Sequence, residues 1–345
     1  VRPWVGVHND VPSEATVFMA RHGSTRGFVL SEGVNPYLSD LDTYAMAQTV
    51  VDEAVRRQIC AGARPDRIAA LDNFCWPDPI RSERTPDGEQ KLAQLVRACR
   101  GLYDACDAYG VPLISGKDSM KNEAVLGGVK ISVPPTLLLS AIGLIDDVRD
   151  AVTLDFKSPG DVIYVLGETG PHTGGSEYYR HLGERDGKTA EGAFDPSGPA
   201  PYVGMRPPAL DVGATVPLYR CHSEAIAAGE VLSAATPTRG GLALAVARSA
   251  MAGALGADLD LGAATAEGAL DDDVALFSES NGRFVVTVAP TDAAAFAERF
   301  AGLPCRRAGE VRKDEHLIVR SGDRTVLDLE VEAMRRRFKE GLADA

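Results

Sequence analysis

The sequence predicts an α/β domain followed by an α+β domain. Three observations support that expectation. Strand-like apolar runs alternate with long helical patterns through the first half. Near Asp150 the pattern starts again, with a turn, a strand and a glycine-rich exit in "SPGDVIYVLGETG". The chain has 345 residues, more than one domain usually holds, so two are expected. The boundary falls near residues 147–160, giving domains over 1–148 and 149–345.

Each element follows from its own pattern. "ATVFMARHGSTRGFVLSEG" reads as two strands around a Gly/Ser/Thr turn. "DLDTYAMAQTVVDEAVRRQICAGARP" reads as a helix. Asp40 or Asp42 caps it, Ala45, Val50, Ala54 and Ile59 form its apolar face, and Gly62 with Pro65 stops it. "DRIAALDNFCWPDP" is a strand that runs into a polar, proline-rich loop. "GEQKLAQLVRACRGLYDACDAYG" is the next helix, closed by Gly110, and "VPLISG" reads as a buried strand. "GGVKISVPPTLLLSAIGLIDD" supplies a further pair of strands, with Pro134 and Pro135 favouring an edge or a bulge. Its apolar run is too long for a solvent-facing strand, so burial against another unit is expected.

In the second half "GGSEYYRHLG" opens a helix, and the polar stretch from Glu184 to Tyr202 reads as an exposed loop. The run from Ser223 to Leu261 reads as helical on both sides of a Thr-Pro-Thr-Arg-Gly-Gly loop. "DVALFSESNGRFVVTVAP" reads as strand, loop, strand. A helix over "TDAAAFAERFAGL", two short strands and a charged helix, "LEVEAMRRRFKEG", follow.

Hydrophobic residues make up 45% of the chain and charged residues 25%, the balance of a globular protein rather than a disordered one. Lys and Arg number 36 against 49 Asp and Glu, a formal charge of −13. That excess speaks against nucleic acid and anionic membrane as main partners. It leaves room for a phosphorylated substrate held by a few local cations and backbone N–H groups. The six cysteines, at 60, 75, 99, 106, 221 and 305, form no CxxC pair, so free buried thiols in a reducing, cytoplasmic compartment are expected. No signal-peptide pattern or membrane-length apolar run is visible. The chain opens at Val1 in "VRPWVGVHND", as a segment of a longer polypeptide would.

Six stretches are polar where a strand ends: "RHGSTRG" (21–27), "LDNFCWPDP" (71–79), "SGKDSMKNE" (115–123), "GETGPHTGGSE" (167–177), "PTRGG" (237–241) and "SESNGR" (278–283). Ligands of α/β folds gather at such ends. In the third stretch Asp118 could bind Mg²⁺, Gly116 allows close backbone approach to a phosphate, and Lys117 and Ser119 could donate to its oxygens. An ordinary turn with a solvated lysine and a capping aspartate has the same letters. Asp72 and Asn73 could hold a metal or a ribose hydroxyl, or Asn73 could satisfy loop backbone while Trp76 fills the core. His22 could meet a phosphate or act as a base, or be structural. Gly174 and Gly175 precede a helix start that suits an anion, although Ser176 and Glu177 explain it as a capped helix. Glu279 and Arg283 read as a loop ion pair.

Together these stretches resemble one family, the formylglycinamidine ribonucleotide synthetases of purine synthesis. "RHGSTRG", "DLDTYAMAQTVVDEAVR", "ALDNFCWPDP", "PLISGKDSMKNE", "ISVPPTLLLSAIGLIDD", "LGETGPHTGGSEY" and "LFSESNGRFVVTV" carry the resemblance, in the family's order, over about residues 17–290. The resemblance implies an ATP-binding unit like aminoimidazole ribonucleotide synthetase, an α/β domain followed by an α+β domain. The family's core duplicates that unit, and this chain is similar to the second copy. The implied reaction joins formylglycinamide ribonucleotide with glutamine-derived ammonia, using ATP and Mg²⁺. The amide oxygen is phosphorylated, and ammonia then displaces phosphate. The implied partners are an N-terminal synthetase unit or a second copy of the chain, and a glutaminase.

Carried over residue by residue, the resemblance implies ATP contacts at Asp72, Asn73 and Gly116, substrate contacts at Lys117 and Ser119, and a metal ligand at Asp118. Two departures stand out. The family's Ser-x-His-Cys motif is absent, since neither His8 nor His22 has that context, so no catalytic residue is assigned. A His-Asp-x-Ser-Asp/Glu-Gly-Gly stretch reads "ATPTRGG", with Ala235 and Thr236 for the His-Asp pair and Arg239 for the acid. A catalytic half-unit, a non-catalytic scaffold that holds a nucleotide, and a free-standing homodimeric enzyme are the three readings that follow.

Overall fold

A computed structural model describes residues 1–186, 205–265 and 270–341. The first lobe is built on a five-stranded sheet. A small hairpin, β1 (Trp4–Val5) and β2 (Val11–Pro12), precedes β3 (Thr16–Met19) and β4 (Gly27–Val34). Helix α1 (Thr43–Cys60), β5 (Ile68–Cys75), α2 (Gly88–Tyr109) and β6 (Leu113–Ser119) follow. A second hairpin, β7 (Glu123–Leu126) with β8 (Val129–Ser132), leads to β9 (Thr136–Ile145). The strand order is β3-β4-β9-β5-β6, antiparallel except for β5 beside β6.

The sequence pattern explains which face is covered. In β4, "GFVLSEGV" alternates buried and exposed along its length. The buried set lies under α1, and the other face is open. Phe28, Leu30, Leu71 and Ile142 stand exposed on it. Helix α1 comes very close to the sheet: a Cβ on Gly33 would lie 2.1 Å from the Val50 carbonyl oxygen. Asp42 is the cap, accepting from the Tyr44 N–H at 2.8 Å. Gly110 ends α2 in the left-handed region at φ 67°.

Two expectations are corrected here. "VPLISG" is no buried strand: β6 is the sheet's edge, it runs on to Ser119, and Leu113 and Ile114 are exposed. Pro134 and Pro135 lie between β8 and β9, and β9 is interior, hydrogen-bonded on both sides. Nor are all the thiols buried: Cys60 and Cys106 are, whereas Cys99 is exposed.

The second lobe holds a seven-stranded sheet. Its elements are β10 (Val162–Leu166), α3 (Glu177–Asp186), α4 (Val212–Ala227), β11 (Ser233–Ala235), α5 (Gly241–Gly253), β12 (Gly256–Asp260), α6 (Leu261–Thr265) and α7 (Asp272–Phe277). Then come β13 (Phe284–Val288), α8 (Ala293–Arg299), β14 (Cys305–Arg312), β15 (His316–Ser321), β16 (Arg324–Glu330) and α9 (Val331–Glu340). The order is β11-β13-β10-β14-β12-β15-β16, with only β12 and β15 parallel. Here "VIYVL" of β10 is buried at every position, because α4 and α8 cover one face and α5 and α6 the other.

Several local readings change. A strand, β11, separates the preceding helix from the Thr-Pro-Thr-Arg-Gly-Gly loop, and "GADLD" is β12. "DVALF" is helix α7, not a strand, and three strands rather than two precede α9. Glu184 to Asp186 close α3; the rest of the expected loop to Tyr202 lies outside the described residues.

The lobes share one apolar core. It runs from Val50, Phe74 and Leu102 to Tyr164, Tyr219 and Phe284. The hairpin β1–β2, counted by sequence with the first domain, packs on the second lobe. Val5 and Val11 join the α5 cluster, and the Val7 N–H donates to the Ala252 carbonyl at 2.8 Å. No helix among the described residues is long and apolar enough to cross a membrane.

Candidate functional site

Five of the six polar strand ends gather in two places, and "RHGSTRG" stands apart from both. At the first place β5 and β6 pair Asp72 with Gly116, Asn73 with Lys117, Phe74 with Asp118 and Cys75 with Ser119. Paired residues share a face, and the period of two sorts the candidates. Asp72, Gly116 and Asp118 stand on the α2 side; Phe74, level with Asp118, is buried in the core there. Asn73, Lys117 and Ser119 stand on the open face. The Gly-Lys-Asp-Ser stretch therefore divides between two faces.

Each face has its own chemistry. On the α2 side the Asp72 carboxyl is pushed up, first by burial and then by the charge of Asp118. The Cys99 thiol on α2 is pushed up by burial and by both carboxylates. A cation would relieve that repulsion, and two carboxylates with phosphate oxygens and water suit Mg²⁺. Among the described residues no group of three or more His, Cys, Asp or Glu side chains is placed to hold a metal, so the protein's share would be these two. A groove of about 630 Å³ lined by Cys99, Leu102, Tyr103, Cys106 and Leu113 runs along α2 beside them. On the open face Lys117 Nζ donates to Ser119 Oγ at 2.5 Å, so both present hydrogen-bonding groups together.

The strand ends are pinned. The Trp76 N–H donates to the Ser119 carbonyl at 2.8 Å. Asn122 Nδ2 donates to the carbonyls of Ser119 at 2.7 Å and Trp76 at 3.3 Å. The Trp76 indole is fully buried, with Nε1 donating to the Lys91 carbonyl at 3.0 Å.

The second place is the seam between the lobes, where "GETGPHTGGSE", "PTRGG" and "SESNGR" meet the polar face of α1. Asp52 Oδ2 lies 2.6 Å from Arg56 Nε, and both side chains are buried. Asp52 also accepts from the Gly282 N–H at 3.1 Å, from Tyr109 Oη at 2.6 Å and from Tyr219 Oη. Burial alone would discourage the Arg56 charge; Asp52 overrides it and holds the guanidinium above its usual range. Arg56 donates in turn to the carbonyls of Pro237 at 3.0 Å and Arg283 at 3.3 Å.

Glu279 and Arg283 do not form the loop pair read from the sequence. The Glu279 carboxylate accepts from the Gly240 N–H at 2.8 Å and the Glu177 N–H at 2.9 Å, joining the starts of α5 and α3. Burial pushes it up to about 7. Arg283 donates to Thr169 Oγ1 at 3.0 Å and the Ser280 carbonyl at 3.2 Å, and burial together with Arg56 lowers it to about 9. At the altered loop Thr236 Oγ1 donates to Glu14 and Arg239 to the Val34 carbonyl. What remains between Asn35, Thr49, Thr238 and Glu279 is about 10 Å³, room for no more than one water. Among the described residues, that space is too small for a nucleotide.

Sequence reasoning missed Asp52, Arg56, Tyr109 and Tyr219. The available signal was the Asp-x-x-x-Arg spacing in α1, which a solvated helix face shows equally well.

Two family models match this chain: the N-terminal domain of AIR synthase related protein over residues 14–145 and its C-terminal domain over 158–322. Phosphoribosylformylglycinamidine synthase subunit PurL of Thermobifida fusca is 31% identical over 335 residues, covering 96% of this chain and 39% of that protein. The PurL of Methanocaldococcus jannaschii is 30% identical, covering 95% and 41%. The chain thus spans about two fifths of the length of the curated relatives it matches. Thermotoga maritima PurL, solved in complex with FGAR, superposes with a TM-score of 0.70 at 20% identity, covering 96% of this chain and 49% of that one. The same protein has been solved with ATP and with ADP.

Proposed function

The chain belongs to the AIR synthase related proteins, and from that we propose that it is the second synthetase unit of a formylglycinamidine ribonucleotide synthetase, acting in the cytoplasm. The observation that carries this reading is the extent of the match. PurL relatives align over 96% of this chain but 39% of their own length, one unit's worth. In this reading the open face of the first sheet seats the N-terminal synthetase unit or a second copy. A glutaminase supplies ammonia. The domain division near residues 148–149 separates the two lobes.

Asp72 and Asp118 would hold Mg²⁺ against nucleotide phosphates, with Gly116 giving room beside Asp72. Bound Mg²⁺ supplies charge neutralisation during phosphoryl transfer. Lys117 and Ser119, on the open face, bind and orient phosphate or substrate, together with Asn73, from the side the partner unit covers. Lys117 acts as a point charge that requires no fixed fork geometry.

A scaffold that holds a nucleotide without turnover is the second reading. The altered loop "ATPTRGG" favours it, because Thr236 and Arg239 are committed to holding the lobes together. The two readings separate in one experiment. The chain is combined with an N-terminal synthetase unit, and phosphate release is followed with ATP, formylglycinamide ribonucleotide and ammonium. The catalytic reading expects Lys117→Met to abolish most turnover while leaving assembly intact. Turnover unchanged by Lys117→Met, with nucleotide still bound, selects the scaffold.

A further inference from the structure

We propose a second anion site at the opposite end of the first sheet, built by the "RHGSTRG" turn and the segment before β5, which takes a phosphorylated small molecule. A cleft of about 440 Å³ opens there, in the size range of small-molecule pockets. Its walls carry four guanidinium groups, Arg21, Arg26, Arg64 and Arg67, against one lining carboxylate, Asp146. Arg64 is already neutralised, 3.0 Å from Asp66 and 3.2 Å from Asp146. Arg21, Arg26 and Arg67 are exposed and make no ion pair or side-chain hydrogen bond among the described residues.

Three unpaired arginines around one cleft are unexpected in a chain of net charge −13. The local field, not the net charge, decides which ligand is drawn in. The turn that carries two of them is held in shape. The Ala20 N–H donates to the Arg26 carbonyl at 2.9 Å, the Ser24 N–H to the Arg21 carbonyl at 3.2 Å, and the Val148 N–H to the Thr25 carbonyl at 2.7 Å. The Arg26 N–H donates to Ser24 Oγ at 3.2 Å. Gly27 fits only because it lacks a Cβ, which would lie 2.3 Å from the Phe18 carbonyl oxygen.

Guanidinium forks bind phosphate oxygens in pairs, and several around one cleft suit a phosphate or pyrophosphate group. Phe28 and Leu144 line the same cleft and offer an apolar surface to the organic part of the ligand. Both also belong to the open face, so a unit seated there would roof the cleft. Arg67 precedes the first residue of β5, whereas Asn73 and Lys117 stand near its far end, about 20 Å away by strand rise. The site is therefore separate from the one discussed under function.

The test is calorimetric titration of the full chain at low salt with inorganic pyrophosphate, ribose 5-phosphate and ATP. Pyrophosphate should bind, and Arg21→Ala with Arg26→Ala should weaken it at least tenfold while leaving Tm unchanged. Arg100→Ala, on the exposed side of α2 and outside both sites, should leave pyrophosphate affinity unchanged, which separates a local effect from one of net charge. Phe28→Ala should weaken ATP or ribose 5-phosphate but not pyrophosphate, and whichever organic ligand it affects is the class the cleft takes. Absence of pyrophosphate binding, or full binding in the double arginine variant, overturns the proposal. An effect of Phe28→Ala on neither organic ligand overturns the apolar part of it.

Discussion

A Cβ on residue 116 would stand 2.7 Å from Asp72 Oδ1, so Gly116 is what allows the Asp72 carboxylate to stay where it is. The clashing atoms are the far end of a short side chain, which can swing aside. Gly116→Ala is therefore expected to cost little stability, under about 1 kcal/mol, while displacing Asp72. Affinity for Mg-ATP should fall about tenfold or more. Equal nucleotide affinity with unchanged Tm would remove Asp72 from the site.

Asp118→Asn should separate function from folding in the same way. Asp118 is exposed, so thermal melting should not move. In the assembled enzyme, loss of a metal-holding carboxylate should lower turnover on the order of a hundredfold or more. Steady-state kinetics beside a melt decides it, and unchanged turnover would return this stretch to an ordinary strand end.

The Asp52–Arg56 pair predicts a large effect on stability far from any ligand. Asp52→Ala would leave Arg56 buried without its counter-charge and take an acceptor from Tyr109, Tyr219 and Gly282. The expected loss is about 3–5 kcal/mol by urea denaturation. A loss under about 1 kcal/mol, the level of an exposed pair, would mean that the seam is wet.

His222 predicts a gain. It is fully buried against Phe284, at 4.4 Å between ring centroids, and neither ring nitrogen has a hydrogen-bond partner among the described residues. Burial lowers it from 6.5 to about 3, so the folded state keeps it neutral. The unfolded chain takes up the proton first as pH falls. The contribution is thus complete above pH 6.5 and is lost as pH falls toward 3, at up to about 1.4 kcal/mol per pH unit. His222→Leu should flatten that acid limb and raise stability at pH 7 by about 1 kcal/mol. Melting curves from pH 4 to pH 7.5 (conditions spanning roughly that limb) check it; an unchanged acid slope would contradict it.

The open face predicts association. Leu30, Leu71 and Ile142 are exposed side by side on the first sheet. Ile142→Arg should weaken pairing with an N-terminal unit or a second copy at least tenfold by sedimentation velocity, without unfolding the chain. Equal association in the variant would place the interface elsewhere.

Much of the fold was legible because local signals agreed with packing. Asp42, Gly110 and the alternation of β4 each announce an element that tertiary contacts then keep. The failures have physical causes. β6 was ended at Gly116, where apolar residues stop, but backbone pairing with β5 carries it to Ser119. That extension puts neighbours of the Gly-Lys-Asp-Ser step on opposite faces. Strand β7 was missed, although Gly127 and Gly128, both with positive φ, mark the turn that joins it to the expected strand β8. Helix α7 has six residues, too few for a 3.6-residue period to emerge, and its acidic start was the better clue. The seam was not legible at all, because the polar face of α1 looks the same whether it meets water or another lobe.

Hairpin β1–β2 makes a mechanical difference. The chain crosses between lobes twice, once between this hairpin and β3 and once between β9 and β10. A body joined at one point can swing freely; a second attachment point opposes that swing. A single backbone cut near residue 150 would leave the halves still tethered. The second pin is made by packing, with Val5 and Val11 in the α5 cluster and the Val7 N–H on the Ala252 carbonyl, so separation of the lobes is opposed at two places rather than one.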